Sequence, residues 1–269
     1  LAALCSKVGG IMSFSVTPIA CLSDNYAYAL VCSQTGALAI VDPSEASPVA
    51  AWLGDKKVTA IWNTHHHADH CMGNEELVAE YKPEYVSAHA SDKGRVPAQT
   101  KYLNEGDSFK LGDLDVSILH IPGHTTGAVA YVVRSGNETA VFTGDTLFLA
   151  GCGRLFEGTP EMMHASLQKL AKLPASTKVY CGHEYTAQNL KFAVHVEPSN
   201  AAAKARAALV ADLRAKNAPT VPGLMSDELA TNPFMRTNSA EIRANLKIDA
   251  SANGGEALGV IRKAKDDFR

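Results

Sequence analysis

The sequence contains no apolar run that approaches the roughly 20 residues a bilayer-spanning helix needs, so no membrane partner is expected. It has no excess of one charge either. Lys and Arg number 25 against 28 Asp and Glu, for a formal net charge of -3. That balance gives no whole-chain attraction to nucleic acid. Cysteine is sparse. Cys5, Cys21, Cys32, Cys71, Cys152 and Cys181 form no C-x-x-C pair and no regular framework. Reduced thiols in a reducing compartment are the reading that follows. Internal repeats and low-complexity stretches are absent as well. What remains is ordinary globular composition: 269 residues, 46% hydrophobic and 20% charged. That length suits one large domain, or one domain with a smaller companion.

The chain opens at Leu1 on a short apolar, small-residue-rich segment that runs to Ile11. Two readings of it stay open: Met12 is the natural start, or residues 1–11 are the stub of a processed targeting segment. Beyond it, Phe14 to Ile19, Tyr26 to Cys32 and Ala37 to Val41 are predicted strands, and Asp42-Pro43 closes the third. Val49 to Leu53 and Glu75 to Tyr81 have helical character, and Val86 to His89 is another short strand. From Phe109 to Phe142 the pattern is strand-rich, with turn-forming breaks between Leu114 to His120, Ala128 to Val133 and Thr139 to Phe142. A helix is predicted from Pro160 to Leu173, with Pro at its start and Pro174 at its end, before a last strand at Lys178 to Cys181. After His183 the pattern becomes helical: Thr186 to Val196, Asn200 to Lys216, Ser239 to Leu246 and Glu256 to Lys265. The fold class is therefore α/β followed by an all-helical domain, divided as residues 12–184 and 185–269.

The densest chemical signal is Thr64-His65-His66-His67-Ala68-Asp69-His70, a His-x-His-x-Asp-His pattern. Neutral imidazole is the commonest biological metal ligand, and carboxylate adds a hard oxygen. The run follows Val58-Thr59-Ala60-Ile61-Trp62, which reads as a buried strand. Open α/β sheets place their sites just past strand ends. In extended backbone, residues two apart point the same way, so His65 and His67 can bind one ion with His66 turned aside. A bend then lets Asp69 and His70 face a second position. A tag remnant would neither follow a buried strand nor include the aspartate.

Three further candidates each sit after a glycine that ends a strand-like run: His124, Asp145 and His183. Glycine permits the sharp turn and close backbone approach that a metal loop needs. His65, His67, Asp69, His70, His124, Asp145 and His183 are too many for one open catalytic zinc, which takes three protein ligands and water. They fit two ions, with Asp145 as the shared carboxylate. Two ions about 3.5–4 Å apart can share a hydroxide that is nucleophilic near neutral pH. His66, His89, His120, His164 and His195 are read as structural or exposed, with a supporting hydrogen bond open to His66.

These residues carry a resemblance to the metallo-β-lactamase superfamily, and within it to the hydroxyacylglutathione hydrolases, or glyoxalase II enzymes. Beyond the histidine run, the segments that resemble the family are Asp24-Asn25-Tyr26, Gly151 to Thr159, Gly182 to Thr186 continuing through Asn189 to Ala193, Asn232-Pro233-Phe234-Met235-Arg236, and the closing Arg262 to Phe268. The resemblance implies an αββα sandwich with a C-terminal helical domain. It implies one metal on His65, His67, His124 and Asp145, and another on Asp69, His70, His183 and Asp145. The ions would be divalent, zinc first, with iron or manganese as alternatives. By similarity, Arg154, Tyr185, Arg262 and Lys265 contact the glutathione part of the substrate, which suits its two carboxylates and peptide groups.

The implied reaction is hydrolysis of S-D-lactoylglutathione and related 2-hydroxyacyl thioesters, as in methylglyoxal detoxification. A metal-bridging hydroxide attacks the carbonyl, with Asp69 and Asp145 as the catalytic carboxylates. The leaving thiol, with an ordinary pKa of about 8.5, needs little protonation. A monomer in the cytoplasm is expected, with a mitochondrial or other organellar form as the alternative. Departures from the family pattern are Ala68 for a larger aromatic, Arg154 for lysine, Phe156 for tyrosine, and Cys71-Met72 for smaller residues. None removes a ligand. The rivals are a persulfide dioxygenase, a lactonase, a β-lactamase and a non-catalytic binding module. Full ligand occupancy and the closing Arg262 and Lys265 weigh against them.

Overall fold

The structure is a computed structural model and describes residues 14–268. The expected start at Met12, the remnant reading of residues 1–11, and Cys5 lie outside the described residues. The first sheet holds β1 (Phe14–Cys21), β2 (Asn25–Cys32), β3 (Leu38–Val41), β4 (Ala60–Trp62), β5 (Tyr85–His89) and β6 (Lys101–Leu103), in that order. Helices α1 (Ala46–Leu53), α2 (Ala68–Cys71) and α3 (Asn74–Tyr81) occupy its crossovers. The second sheet is formed by β7 (Ser108–Leu111), β8 (Leu114–His120), β9 (Val129–Ser135), β10 (Glu138–Gly144) and β13 (Lys178–Cys181). Between β10 and β13 lie the small ribbon of β11 (Leu147–Phe148) and β12 (Gly151–Cys152), and helix α4 (Pro160–Leu170). The tail comprises α5 (Thr186–Val196), α6 (Ala201–Ala215), β14 (Gly223–Leu224), α7 (Met225–Thr231), α8 (Ala240–Asn245) and α9 (Gly254–Asp267).

Period-two alternation assigns each strand face to a different core. In β2, Tyr26, Tyr28, Leu30 and Cys32 join the larger cluster, which also takes Val116, Ile118 and Tyr131 from the second sheet. Ala27 and Ala29 point the other way, into a cluster with Val49 and Leu53 of α1 and Leu77 of α3. Both faces are therefore covered, which is why β2 reads as a nearly continuous apolar run. Trp62 and Tyr131 stack between the sheets at 4.9 Å. Tyr131 Oη lies 3.1 Å from the Asn63 carbonyl, pinning the backbone just before the histidine run.

Local signals account for the helix ends. Thr159 caps α4 through Met162 N–H at 3.3 Å, with Pro160 in the first turn. Asn253 and Glu256 form a capping box on α9. Two features of the tail differ from the expectation. The seven-residue α7 lacks a long amphipathic pattern, and β14 pairs antiparallel with β13, so the helical tail lends one short strand to the second sheet. No helix among the described residues is long and apolar enough to cross a membrane.

Candidate metal centre

The site gathers where parallel strands end together. β3 and β4 run parallel, and so do β10 and β13. Asp42 follows β3, the histidine run follows β4, Asp145 follows β10 and His183 follows β13. Gly144 has φ +48°, and a Cβ there would lie 2.2 Å from Thr64 Oγ1. A Cβ at Gly182 would lie 2.3 Å from Asp145 Oδ1. Glycine is therefore required at both positions for the turns to reach each other, as the recurring strand-Gly pattern suggested.

The seven candidate residues converge. Nδ1 of His67 lies 3.2 Å from Nε2 of His65 and 3.0 Å from Nε2 of His124. Helix α2 starts directly after His67 and carries Asp69 and His70 into a neighbouring group with His183. His183 Nε2 is 3.4 Å from Asp69 Oδ2, and His70 Nε2 is 3.8 Å from that oxygen. Asp145 stands between the groups. Its Oδ2 faces His124 at 3.5 Å and His183 at 3.3 Å, and its Oδ1 faces His70 at 3.3 Å. His66 turns away, toward Asp92 and Glu157.

The outer ring nitrogens show what this convergence can hold. His65 Nδ1 meets Thr64 Oγ1 at 3.1 Å, and His70 Nδ1 meets Asp42 Oδ2 at 3.0 Å. His124 Nδ1 meets the Arg154 carbonyl at 2.8 Å, and His183 Nδ1 meets Asp24 Oδ1 at 2.7 Å. An outer N–H donated to an oxygen leaves the inner Nε2 with a bare lone pair. Four such lone pairs, Nδ1 of His67 and two carboxylates would face one another with nothing between them. Buried His70 Nε2 and Asp145 Oδ1 face each other at 3.3 Å without a well-formed hydrogen bond to any group. Divalent cations satisfy that arrangement, and the nitrogen and oxygen donor set fits them. Such His and Asp clusters support divalent metal binding by this chain.

Without cations, protons must substitute. Burial opposes charge on His70, yet Asp145 and Asp42 outweigh it and hold its pKa well above the ordinary value. Burial likewise opposes charge on His183, and its bonds to Asp145 and Asp69 still raise it to about 10. On the other side, burial and then His124 push His67 down to about 4. His65 is driven well below its ordinary value by burial and by His70. Asp145 resists its burial and stays well below the carboxylate range because of His70 and His183. The half of the site richer in carboxylates thus carries the protons.

A cleft of about 540 Å³ opens from His67, Asp69, His124, Asp145 and His183 toward the tail. All four expected substrate residues line it, in different states. The Arg154 side chain is 67% exposed, with Nε 3.6 Å from Asp266. The Tyr185 ring stacks on His183 at 4.8 Å. Lys265 donates to the Gln188 carbonyl at 3.2 Å, and burial followed by Arg262 lowers its pKa to about 8. Arg262 is buried, donating to the Cys152 carbonyl at 2.8 Å and to Asp266 at 3.0 Å.

The sequence profile of the metallo-beta-lactamase superfamily matches residues 24–183, and that of the hydroxyacylglutathione hydrolase C-terminus matches residues 184–268. The hydroxyacylglutathione hydrolase of Methylococcus capsulatus is 46% identical over 256 residues, covering 94% of this chain and 98% of that protein. The chain belongs to the hydroxyacylglutathione hydrolase family. Its fold is also that of the Myxococcus xanthus ETHE1 structure, at TM-score 0.64 and 22% identity over 94% of this chain and 97% of the other. A shorter match is TTHA1623, solved in a di-iron-bound form, at TM-score 0.50 and 29% identity over 63% of this chain and 91% of that one.

Several residues of this hydroxyacylglutathione hydrolase chain act on the site without having been singled out in its sequence. Asp42 reads there as a strand-closing Asp-Pro, but its carboxylate holds His70 and accepts from Thr64 N–H at 2.7 Å. Its position at the end of the strand beside β4 was the available signal. Asp24 and Asn25 belong to a motif whose role was open. Asp24 supports His183, and Asn25 Nδ2 donates to Asp69 Oδ2 at 3.1 Å and to its carbonyl at 2.9 Å. In the tail motif, Asn232 donates to the Gly151 carbonyl at 2.9 Å, and its neighbour Glu228 accepts from Ala150 N–H at 2.8 Å. The tail therefore grips the β11–β12 ribbon from below.

Proposed function

We propose that the protein hydrolyses S-D-lactoylglutathione and related 2-hydroxyacyl-glutathione thioesters to a 2-hydroxy acid and glutathione. The observation that carries this reading is one cleft lined both by members of the two ligand groups and by the cationic Arg154, Arg262 and Lys265. Such a lining suits a substrate that carries both a thioester and carboxylates. The relative from Methylococcus capsulatus carries the hydroxyacylglutathione hydrolase name over nearly the same length.

In this reading His65, His67, His124 and Asp145 hold one divalent ion, and Asp69, His70, His183 and Asp145 hold another. Divalent ions held there would supply a hydroxide nucleophile at neutral pH and would polarise the thioester carbonyl. Asp145 Oδ2 faces His124 of the first group and His183 of the second, while its Oδ1 faces His70 of the second, which supports a shared role. Asp69 has a side chain 40% exposed to the cleft and fixed by Asn25, so it can orient the attacking water. Arg154 and Lys265 receive the glutathione carboxylates, Tyr185 hydrogen-bonds a peptide group, and Arg262 contributes charge while bracing Cys152. The departing thiolate needs no dedicated acid, because a thiol of this kind has a pKa of about 8.5. Phe156, exposed beside His67 and His124, offers an apolar edge and no hydroxyl.

Zinc is the first choice for the ions, since imidazole and carboxylate suit it. Iron is the alternative, as the di-iron form of TTHA1623 illustrates. We place the enzyme in the cytoplasm as a monomer. The described cysteines are free and buried, which suits a reducing compartment. Turnover of S-D-lactoylglutathione by purified protein tests the function. Metal content and rate after reconstitution with zinc or iron test the ions.

A further inference from the structure

The loop between β12 and α4 has two faces. Arg154 and Phe156 line the cleft. The other side lies directly on the metal-binding turns. The Arg154 carbonyl accepts from His124 Nδ1, and the amides of Phe156 and Glu157 donate to the His124 carbonyl at 3.2 and 3.3 Å. A Cβ at Gly153 would lie 2.0 Å from the Asp145 carbonyl, so no side chain can separate the loop from that turn.

The Glu157 side chain completes this junction. Its Oε2 accepts from Thr126 N–H at 2.7 Å and from the Thr126 hydroxyl at 2.9 Å. Its Oε1 accepts from Arg95 at 2.7 Å. Arg95 continues to buried Asp92 and lies 3.2 Å from Nε2 of His66, which sits between His65 and His67. One carboxylate thus gathers its own loop, the turn after His124 and, through Arg95, the histidine run. An isolated ion pair as exposed as Arg95–Glu157, at 36% and 27%, contributes little by itself. The two Thr126 bonds are different in kind, because a charged acceptor is fixed to the backbone of a ligand-bearing turn.

We propose that Glu157 is a positioning residue for the substrate: it keeps Arg154 and Phe156 in register with the metal ligands. This rests on the reading of the cleft as a glutathione thioester site. His65, His70 and His183 take their outer hydrogen bonds from Thr64, Asp42 and Asp24, none of them on this loop, so loss of Glu157 leaves the metal cluster assembled. It releases the surface on which glutathione is held. Binding should suffer more than the chemical step.

The test uses Glu157→Ala and Glu157→Gln in the metal-replete enzyme, with KM, kcat, metal content and calorimetric affinity for glutathione. For the alanine variant KM and the glutathione Kd should both rise roughly tenfold, which corresponds to about 1.4 kcal/mol. Its kcat should stay within about twofold and both metals should remain. The glutamine variant keeps an acceptor for Thr126 but loses the charge facing Arg95, so its KM should fall between the two. An unchanged KM with only a lowered melting temperature would overturn the proposal, and so would loss of kcat together with metal. If the alanine variant does not fold, the glutamine variant decides by the same measurements. A wild type that fails to turn over the thioester contradicts the functional reading. The glutathione affinities then still decide the role of Glu157.

Discussion

Asp42 Oδ2 lies 3.0 Å from Nδ1 of His70, and the opposite nitrogen of that ring faces Asp145 Oδ1 at 3.3 Å. The imidazole is therefore held between a carboxylate that orients it and one that shares its inner site. Asp42 also accepts from the Thr64 hydroxyl at 2.6 Å, and that oxygen meets His65 Nδ1. One aspartate thus supports a ring in each ligand group.

Asp42→Asn tests this directly. Asparagine keeps the shape and tolerates the φ of +47° at this position, while the charge is lost. Metal affinity should fall roughly 10- to 100-fold, measured by competition with a chromophoric chelator. An unchanged affinity would show that the outer carboxylate does not matter.

Asp145→Ala removes the residue that both groups share. Bound metal should drop and turnover should vanish, read by elemental analysis and thioester absorbance. Retention of both metals at a normal rate would sink the bridging role.

Metal loading should expel protons. In the metal-free chain, His183 is raised to about 10 and His70 is raised well above its ordinary value. A raised histidine contributes stability that is fully present below the unfolded value near ~6.5 and is lost as pH rises through the folded value. The metal-free fold should therefore lose stability between neutral pH and pH 10. His67, depressed to about 4, acts oppositely: its neutral form favours the fold, and that contribution is lost as pH falls from about 6.5. On the proposed ligand assignment, ions that bind at pH 7 displace protons from His70 and His183. Zinc titration by calorimetry in buffers of different ionisation enthalpy should show that release. Heats independent of buffer would contradict it.

Arg262 and Lys265 should separate. Arg262→Ala strips a buried donor from the Cys152 carbonyl and should cost about 1–3 kcal/mol of stability as well as raising KM. Lys265→Ala should raise KM with little change in melting temperature. Thermal unfolding of both variants beside their kinetics checks this. Equal melting temperatures would assign Arg262 to the substrate alone.

The convergence of the histidine run was legible because strand period and residue chemistry agree: the His65 and His67 rings meet, and the chain turns into α2 immediately afterwards. The strand-Gly pattern also pointed to the right turns, since Gly144 and Gly182 have no room for a Cβ. What escaped was support across long sequence separations. Asp42 to His70, Asp24 to His183 and Asn232 to Gly151 are contacts created by the packing of distant strands and helices. A single carboxylate or amide in a loop carries no periodicity to announce such a partner. Helix α7 escaped because seven residues are too few for an amphipathic signal. Arg262 was expected at the substrate, and only the fold shows that it is buried against the Cys152 carbonyl and Asp266.

The most direct test of the account is loss of S-D-lactoylglutathione, followed at the thioester absorbance before and after chelator treatment. Hydrolysis should be rapid, stop when metal is stripped and return with zinc or iron. No hydrolysis by fully metal-loaded protein would contradict it.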